Sequence, residues 1–141
     1  MSENTYQLQQ LAQIYRYESE INTNRAYKNR QEAEKFANFA RENPEHINEC
    51  LAQEQEYIGI ATTWEKIAAI QLQYAVICEN PVNEYQTIRN DLLALLDKIR
   101  VCQAIQCSNE ACREILNLIE AYYLKNSVVY ESYLQCCGHV N

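Results

Sequence analysis

Glu42-Asn43-Pro44 recurs as Glu79-Asn80-Pro81, and these triplets hold both prolines of a 141-residue chain that has only two glycines. Proline fixes φ and lacks an N–H, so it suits the first turn of a helix and breaks its interior. An asparagine just before it can supply the N-cap oxygen. Each triplet therefore reads as one helix ending and the next beginning. Between them the chain offers few breakers and long apolar periodicities. The pattern predicts an all-α single domain over 1–141, a bundle of five or six helices built from successive antiparallel pairs at about 4–42, 44–78 and 81–137.

Within the first pair, Asn22-Thr23-Asn24 is a turn cluster separating a stripe of Leu8, Leu11 and Tyr15 from one of Ala33, Phe36, Ala37, Phe39 and Ala40. In the second, Ile47, Cys50, Leu51 and Ile58 are expected to face inward. Gly59, just ahead of a Thr62–Glu65 capping box, predicts a break or sharp kink, with a continuous helix that tolerates the glycine as the alternative. The segment that follows, from Thr63 to Cys78, is apolar around much of its girth and contains Trp64, which marks it as the core helix. In the third pair, Tyr85, Ile88, Leu92, Leu95, Ile99 and Cys102 are spaced 3-4-3-4-3, a seam of the coiled-coil kind. Ser108 caps a last helix whose seam runs Cys112, Ile115, Ile119, Tyr122, Asn126, Val129, Tyr133 and Cys136, with Asn126 either a polar seam position or turned to solvent by a small rotation of the helix. Leu93, Leu96, Tyr123 and Tyr130 widen the apolar arc, and this surplus predicts a homodimer through the last two helices. Phe36 lies eight residues before Pro44, but Gln73 holds that place before Pro81, so the proline spacing of 37 is not assigned to a repeat family.

No run of 18 apolar residues occurs, so no membrane partner is expected. Residues 1–13 lack a basic segment and an apolar one, so no signal peptide is read and a cytoplasmic address is expected. Seven cysteines, an odd number that includes the adjacent Cys136 and Cys137, then read as reduced, mostly buried apolar residues. The net charge of −7 argues against a phosphate-binding surface. It is unevenly placed: residues 42–80 carry seven Glu and only Lys66.

The residues that carry chemistry in other proteins are sparse here. Cys102, Cys107 and Cys112 recur every five residues across the last hairpin, but structural zinc wants four ligands in tight pairs. Cys136 and His139 fall at the far end of a straight last helix, so no metal site is assigned. Glu42, Glu45, His46 and Glu49 lie at i, i+3, i+4 and i+7 and read as one solvated face. No Gly-rich phosphate loop, nucleophile elbow or zinc-protease motif is present. The chain is therefore expected to be no enzyme and to need no cofactor.

Two surfaces remain. Glu42, Glu45, Glu49, Glu54 and Glu56 form an acidic helix suited to a protein with a basic surface, which points to a protein-binding or regulatory module such as an adaptor, subunit or inhibitor. Arg25, Lys28, Arg30 and Lys35, interleaved with Tyr27 and Phe36, form the alternative: a face that grips single-stranded nucleic acid. The overall acidity opposes it. A cryptic metal- or ligand-dependent enzyme is the third reading.

Overall fold

The structure is a computed structural model that describes residues 3–80 and 82–138. Its helices are α1 (Glu3–Glu42), α2 (Ile47–Glu79), α3 (Gln86–Ala104), α4 (Asn109–Ala121) and α5 (Val128–Cys137), with 3-10 turns at Pro44–His46 and Asn83–Tyr85. The fold is all-α, and no strand occurs among the described residues. The expected opening of a helix at Pro81 lies outside those residues. Among the described residues no helix is long and apolar enough to cross a membrane.

The first two segments are each one helix, not a pair. Asn22-Thr23-Asn24 stays helical because its side chains find partners that a turn would not give them. Asn22 is buried and donates to Gln71 Oε1 at 2.8 Å, and Thr23 Oγ1 donates back to the Ser19 carbonyl at 2.8 Å. Tertiary bonding overrides turn propensity here. Gly59 is equally continuous. Thr62 and Thr63 donate their hydroxyls to the carbonyls of Ile58 and Gly59, at 2.8 and 3.1 Å, instead of capping a new helix. The break that does occur is at Pro44. Asn43 serves the helix behind it: its N–H and its Nδ2 both donate to the Phe39 carbonyl, at 2.9 and 3.1 Å.

The backbone packs as two compact units, Tyr17–Leu72 and Met1–Arg16 with Gln73–Asn141. The first is an antiparallel hairpin of α1 against α2. Its inner stripe repeats every seven residues with small side chains, Ser19, Ala26, Ala33 and Ala40 on α1 and Ala61 and Ala68 on α2, all buried. A seven-residue repeat keeps one seam facing its neighbour, and small side chains let the axes approach. Ser19 Oγ donates to the Ala68 carbonyl at 2.7 Å, and the Asn22–Gln71 bond lies beside it. A two-helix unit has only one stripe per helix to bury, so Ile60 and Leu72 stay exposed and Trp64 is half-buried beneath Arg25, whose guanidinium sits 4.8 Å from the ring centre. Trp64 is thus not the centre of the core.

In the other unit the start of α1, the end of α2 and the last three helices share one core. Leu8, Leu11 and Tyr15 meet Ala75 and Cys78, Leu92, Leu95 and Ile99 of α3, Cys112, Ile115 and Ile119 of α4, and Val129 and Tyr133 of α5. The α3 seam holds from Leu92 to Cys102. A turn earlier it takes in Arg89, buried at 4% exposure with its guanidinium donating to the Val82 carbonyl and Gln86 Oε1. Arg16 and Glu79 join α1 to α2 through two bonds of 2.7 and 2.8 Å.

The last seam is two helices. Ser108 caps α4 as expected, accepting from Ala111 N at 3.2 Å, but the helix stops at Ala121. Tyr123 and Asn126 then take positive φ of 55° and 69°. Asparagine tolerates that region better than most residues. Asn126 is a turn residue, exposed, and not part of a seam. Ser127 starts α5, accepting from Tyr130 N at 3.4 Å. The turn brings the end of α5 back to the start of α4, where Cys137, not Cys136, is buried against Cys112 and bonded to it across a Cα separation of 5.7 Å. Cys102 and Cys107 form a second disulfide, with Cα atoms 5.2 Å apart. The expected set of reduced thiols is thereby corrected to three: Cys50 and Cys78, both buried, and the half-buried Cys136. A straight last helix would have kept Cys112 and Cys137 apart, which is why sequence spacing alone missed the pair.

Two measurements check this architecture. Denatured, unreduced protein should present three thiols to a titrating reagent and seven after reduction; seven at the outset would remove both bridges. Gly59→Ala should stabilise the protein by about 0.8–1 kcal/mol, because an added Cβ there meets nothing within 4 Å and alanine is the better helix former. A loss of stability in thermal melts would put a break back at that position.

Candidate functional site

Residues 32–56 carry seven Glu against Lys35 and Arg41, and they fold as the closed end of the hairpin. A groove of about 820 Å³ opens there between the helices. One wall is Glu32, Lys35, Phe36 and Phe39 of α1; the other is His46, Glu49, Cys50 and Gln53, from the 3-10 turn into α2. Each set follows the i, i+3, i+4, i+7 spacing of a single helical stripe. Phe36 stacks on Tyr57 with ring centres 5.7 Å apart, and Phe39 lies 6.2 Å from the His46 ring. Cys50 is buried below them, while Phe39 keeps 48% of its surface exposed. An aromatic half in water beside an aromatic that is packed gives the groove an apolar side with an open mouth.

The polar rim is mostly negative. Lys35 is held by Glu32 at 2.9 Å, and that hydrogen bond, aided by the carboxylate's charge, raises its pKa. His46 lies between Glu49 (3.6 Å from Nδ1) and Glu45 (4.0 Å from Nε2). Glu42, Glu45, Glu49 and Glu56 are all exposed. They do not form one helical face: α1 ends at Glu42, and Asn43 separates it from the turn that carries Glu45. Glu42, three residues beyond Phe39, and Glu56, three beyond Gln53, nevertheless extend the two walls of the groove. Glu54 is half-buried and lies seven residues after Ile47, on a different stripe. Ile47 and Leu51, expected to be buried, are each 45% exposed, because the hairpin presents nothing to cover that side of α2.

The basic stretch is spent differently. Arg25 donates to Asn22 Oδ1 at 2.9 Å while covering Trp64, Arg30 pairs with Glu65, and Lys35 with Glu32. Of the four cations, Lys28 alone has no such partner among the described residues. Phosphate contacts need cations that can be turned outward, and three of these four already have intramolecular partners.

The strongest pKa perturbations lie in the other unit. Burial raises the Tyr15 phenol, whose O–H donates to the Tyr122 carbonyl at 2.6 Å. Burial, the hydrogen bond to Asp91 and that carboxylate's charge push Tyr122 up to about 12. Burial, with Glu79 nearby, does the same to the Cys78 thiol, also to about 12. Tyr74 packs among Tyr15, Tyr122 and Tyr123, with ring centres 5.4 to 6.4 Å away. All these shifts favour the neutral form. A phenol or thiol moved further from neutrality is a poorer proton-transfer group and nucleophile, so the cluster fits packing better than chemistry. No group of three or more His, Cys, Asp or Glu side chains placed to hold a metal ion occurs among the described residues.

Comparison with protein-family models, with curated proteins and with solved structures finds no match to this chain. The reading of the site therefore rests on its own geometry. The groove itself was missed in the sequence, where Phe36 and Phe39 read as buried positions. The signal lay in two stripes of equal spacing on either side of Pro44, which a turn folds face to face.

The tyrosine cluster yields a pH test. A free phenol titrates near 10; Tyr122 holds its proton to about 12, so the stability it contributes is intact below pH ~10 and is lost as pH rises towards 12. Phenolate absorbance should show late-ionising tyrosines whose titration coincides with loss of helicity. Ionisation of all 11 tyrosines together near pH 10, with the fold intact, would contradict the burial.

Proposed function

We propose that this chain is a non-catalytic protein-binding module, an adaptor, subunit or inhibitor, whose hairpin end engages a partner with a basic surface. The observation that carries the reading is an apolar groove set in the most acidic part of the chain, with Glu42, Glu45, Glu49 and Glu56 exposed around it. Apolar contact supplies affinity, and charge of one sign selects the partner and speeds encounter. A partner from outside the chain is favoured over a homodimer, since Leu93, Leu96 and Tyr130, three of the four residues of the expected dimer surplus, pack on their own unit's core, and Tyr123 alone is exposed. Free thiols were expected as a consequence of the cytoplasmic address. The pairings Cys102–Cys107 and Cys112–Cys137 count towards an oxidising compartment instead.

The test is affinity capture from the native source with wild-type chain and with Glu45→Lys/Glu49→Lys/Glu56→Lys, read by mass spectrometry. The wild type should enrich proteins bearing a basic surface, and the reversed variant should lose them. Recovery of the same proteins by both would defeat the proposal.

A further inference from the structure

We infer that the groove at the hairpin end is a docking site for one cationic amphipathic helix of a partner protein, which lays its apolar stripe between Phe36 and Phe39 on one side and Cys50 on the other. This deepens the protein-binding reading above and rests on it. The walls run over seven-residue intervals, 32–39 and 46–53, or about 10 Å at the α-helical rise. That length matches two turns of a third helix, which would present its own residues at i, i+3, i+4 and i+7. About 820 Å³ is more than one side chain fills, so a stripe of several apolar groups is the fitting occupant. A helix also brings no unpaired backbone donors to an apolar floor, because its hydrogen bonds are internal.

Charge decides what kind of helix. Lys35 is paired with Glu32, so among the described residues no Lys or Arg that lines the groove is left for Glu49 at the rim or for Glu42, Glu45 and Glu56 around it. A partner with Lys or Arg flanking its apolar stripe meets a carboxylate on either side. A second copy of this chain, with net charge −7, would set glutamate against glutamate, and an anionic membrane surface would be repelled in the same way.

The probe is a synthetic helix of about 14 residues, roughly 21 Å long, with Leu at i, i+3, i+4 and i+7 and Lys on its other faces. A matched peptide carries Glu in place of Lys. Binding of each labelled peptide to the full chain is followed by fluorescence anisotropy at two salt concentrations. The Lys peptide should bind, weaken as salt rises, and exceed the Glu peptide at least tenfold. Phe39→Ser should reduce its affinity tenfold or more with unchanged circular dichroism, and Ile105→Ser, an exposed apolar residue of the other unit, should leave it unaltered. Should Phe39→Ser disturb the fold, Gln53→Arg sets a long cation into the groove from an exposed helix position and should produce the same loss. Equal binding of the two peptides, no binding of the Lys peptide, or wild-type affinity in a folded groove variant overturns the inference. If the captured partner depends on the glutamates but survives Phe39→Ser and Gln53→Arg, the acidic-surface reading stands and the helix groove falls.

Discussion

Two helices that meet through alanine and serine have nothing bulky to hold them apart, and that constraint shapes the hairpin and its groove. Ser19, Ala26, Ala33 and Ala40 face Ala61 and Ala68 along a seam too thin to take large side chains. The larger residues of the same helices, Phe36, Phe39 and Tyr57, are therefore displaced to its flank. There Phe36 and Phe39 line a groove instead of filling a centre, with Tyr57 stacked on Phe36. A leucine seam would have drawn the aromatics in and left no concavity.

A seam of alanines is poor at specifying register, since one methyl resembles another. Polar bonds supply what shape does not. Ser19 to the Ala68 carbonyl, and Asn22 to Gln71, are buried and directional, and a slip by one turn would leave their donors and acceptors unpaired. An unpaired buried polar group costs about 1–3 kcal/mol, enough to favour a single alignment. Arg25 over the half-buried Trp64 and Arg30 against Glu65 add contacts in the same alignment.

The helical class was legible in the scarcity of proline and glycine, and the α3 seam from Leu92 to Cys102 in its 3-4 spacing. Both depend on local periodicity, which a sequence displays directly. The errors came wherever a distant partner overruled a local signal. Asn22 looked like a turn residue because Gln71, 49 positions away, is not visible beside it. Trp64 looked central because size and hydrophobicity say nothing of how many helices will surround it. Asn126 fitted a heptad by count, but its backbone turns left-handed, and that turn is what brings Cys137 to Cys112. Of the site, the acidic residues were legible as composition. The groove was not, because it exists only once α1 and α2 lie side by side.

The unit that holds the main core is discontinuous in the chain: it draws on residues 1–16 and then on nothing until residue 73. During synthesis this imposes an order. The hairpin over 17–72 has all of its contacts in hand once its own residues have emerged. Leu8, Leu11 and Tyr15, made before the hairpin, must wait for α3, α4 and α5, made after it, before they are covered. While the hairpin is being made, that apolar stripe is still exposed. Nascent protein therefore offers this stripe to chaperones until the last three helices emerge.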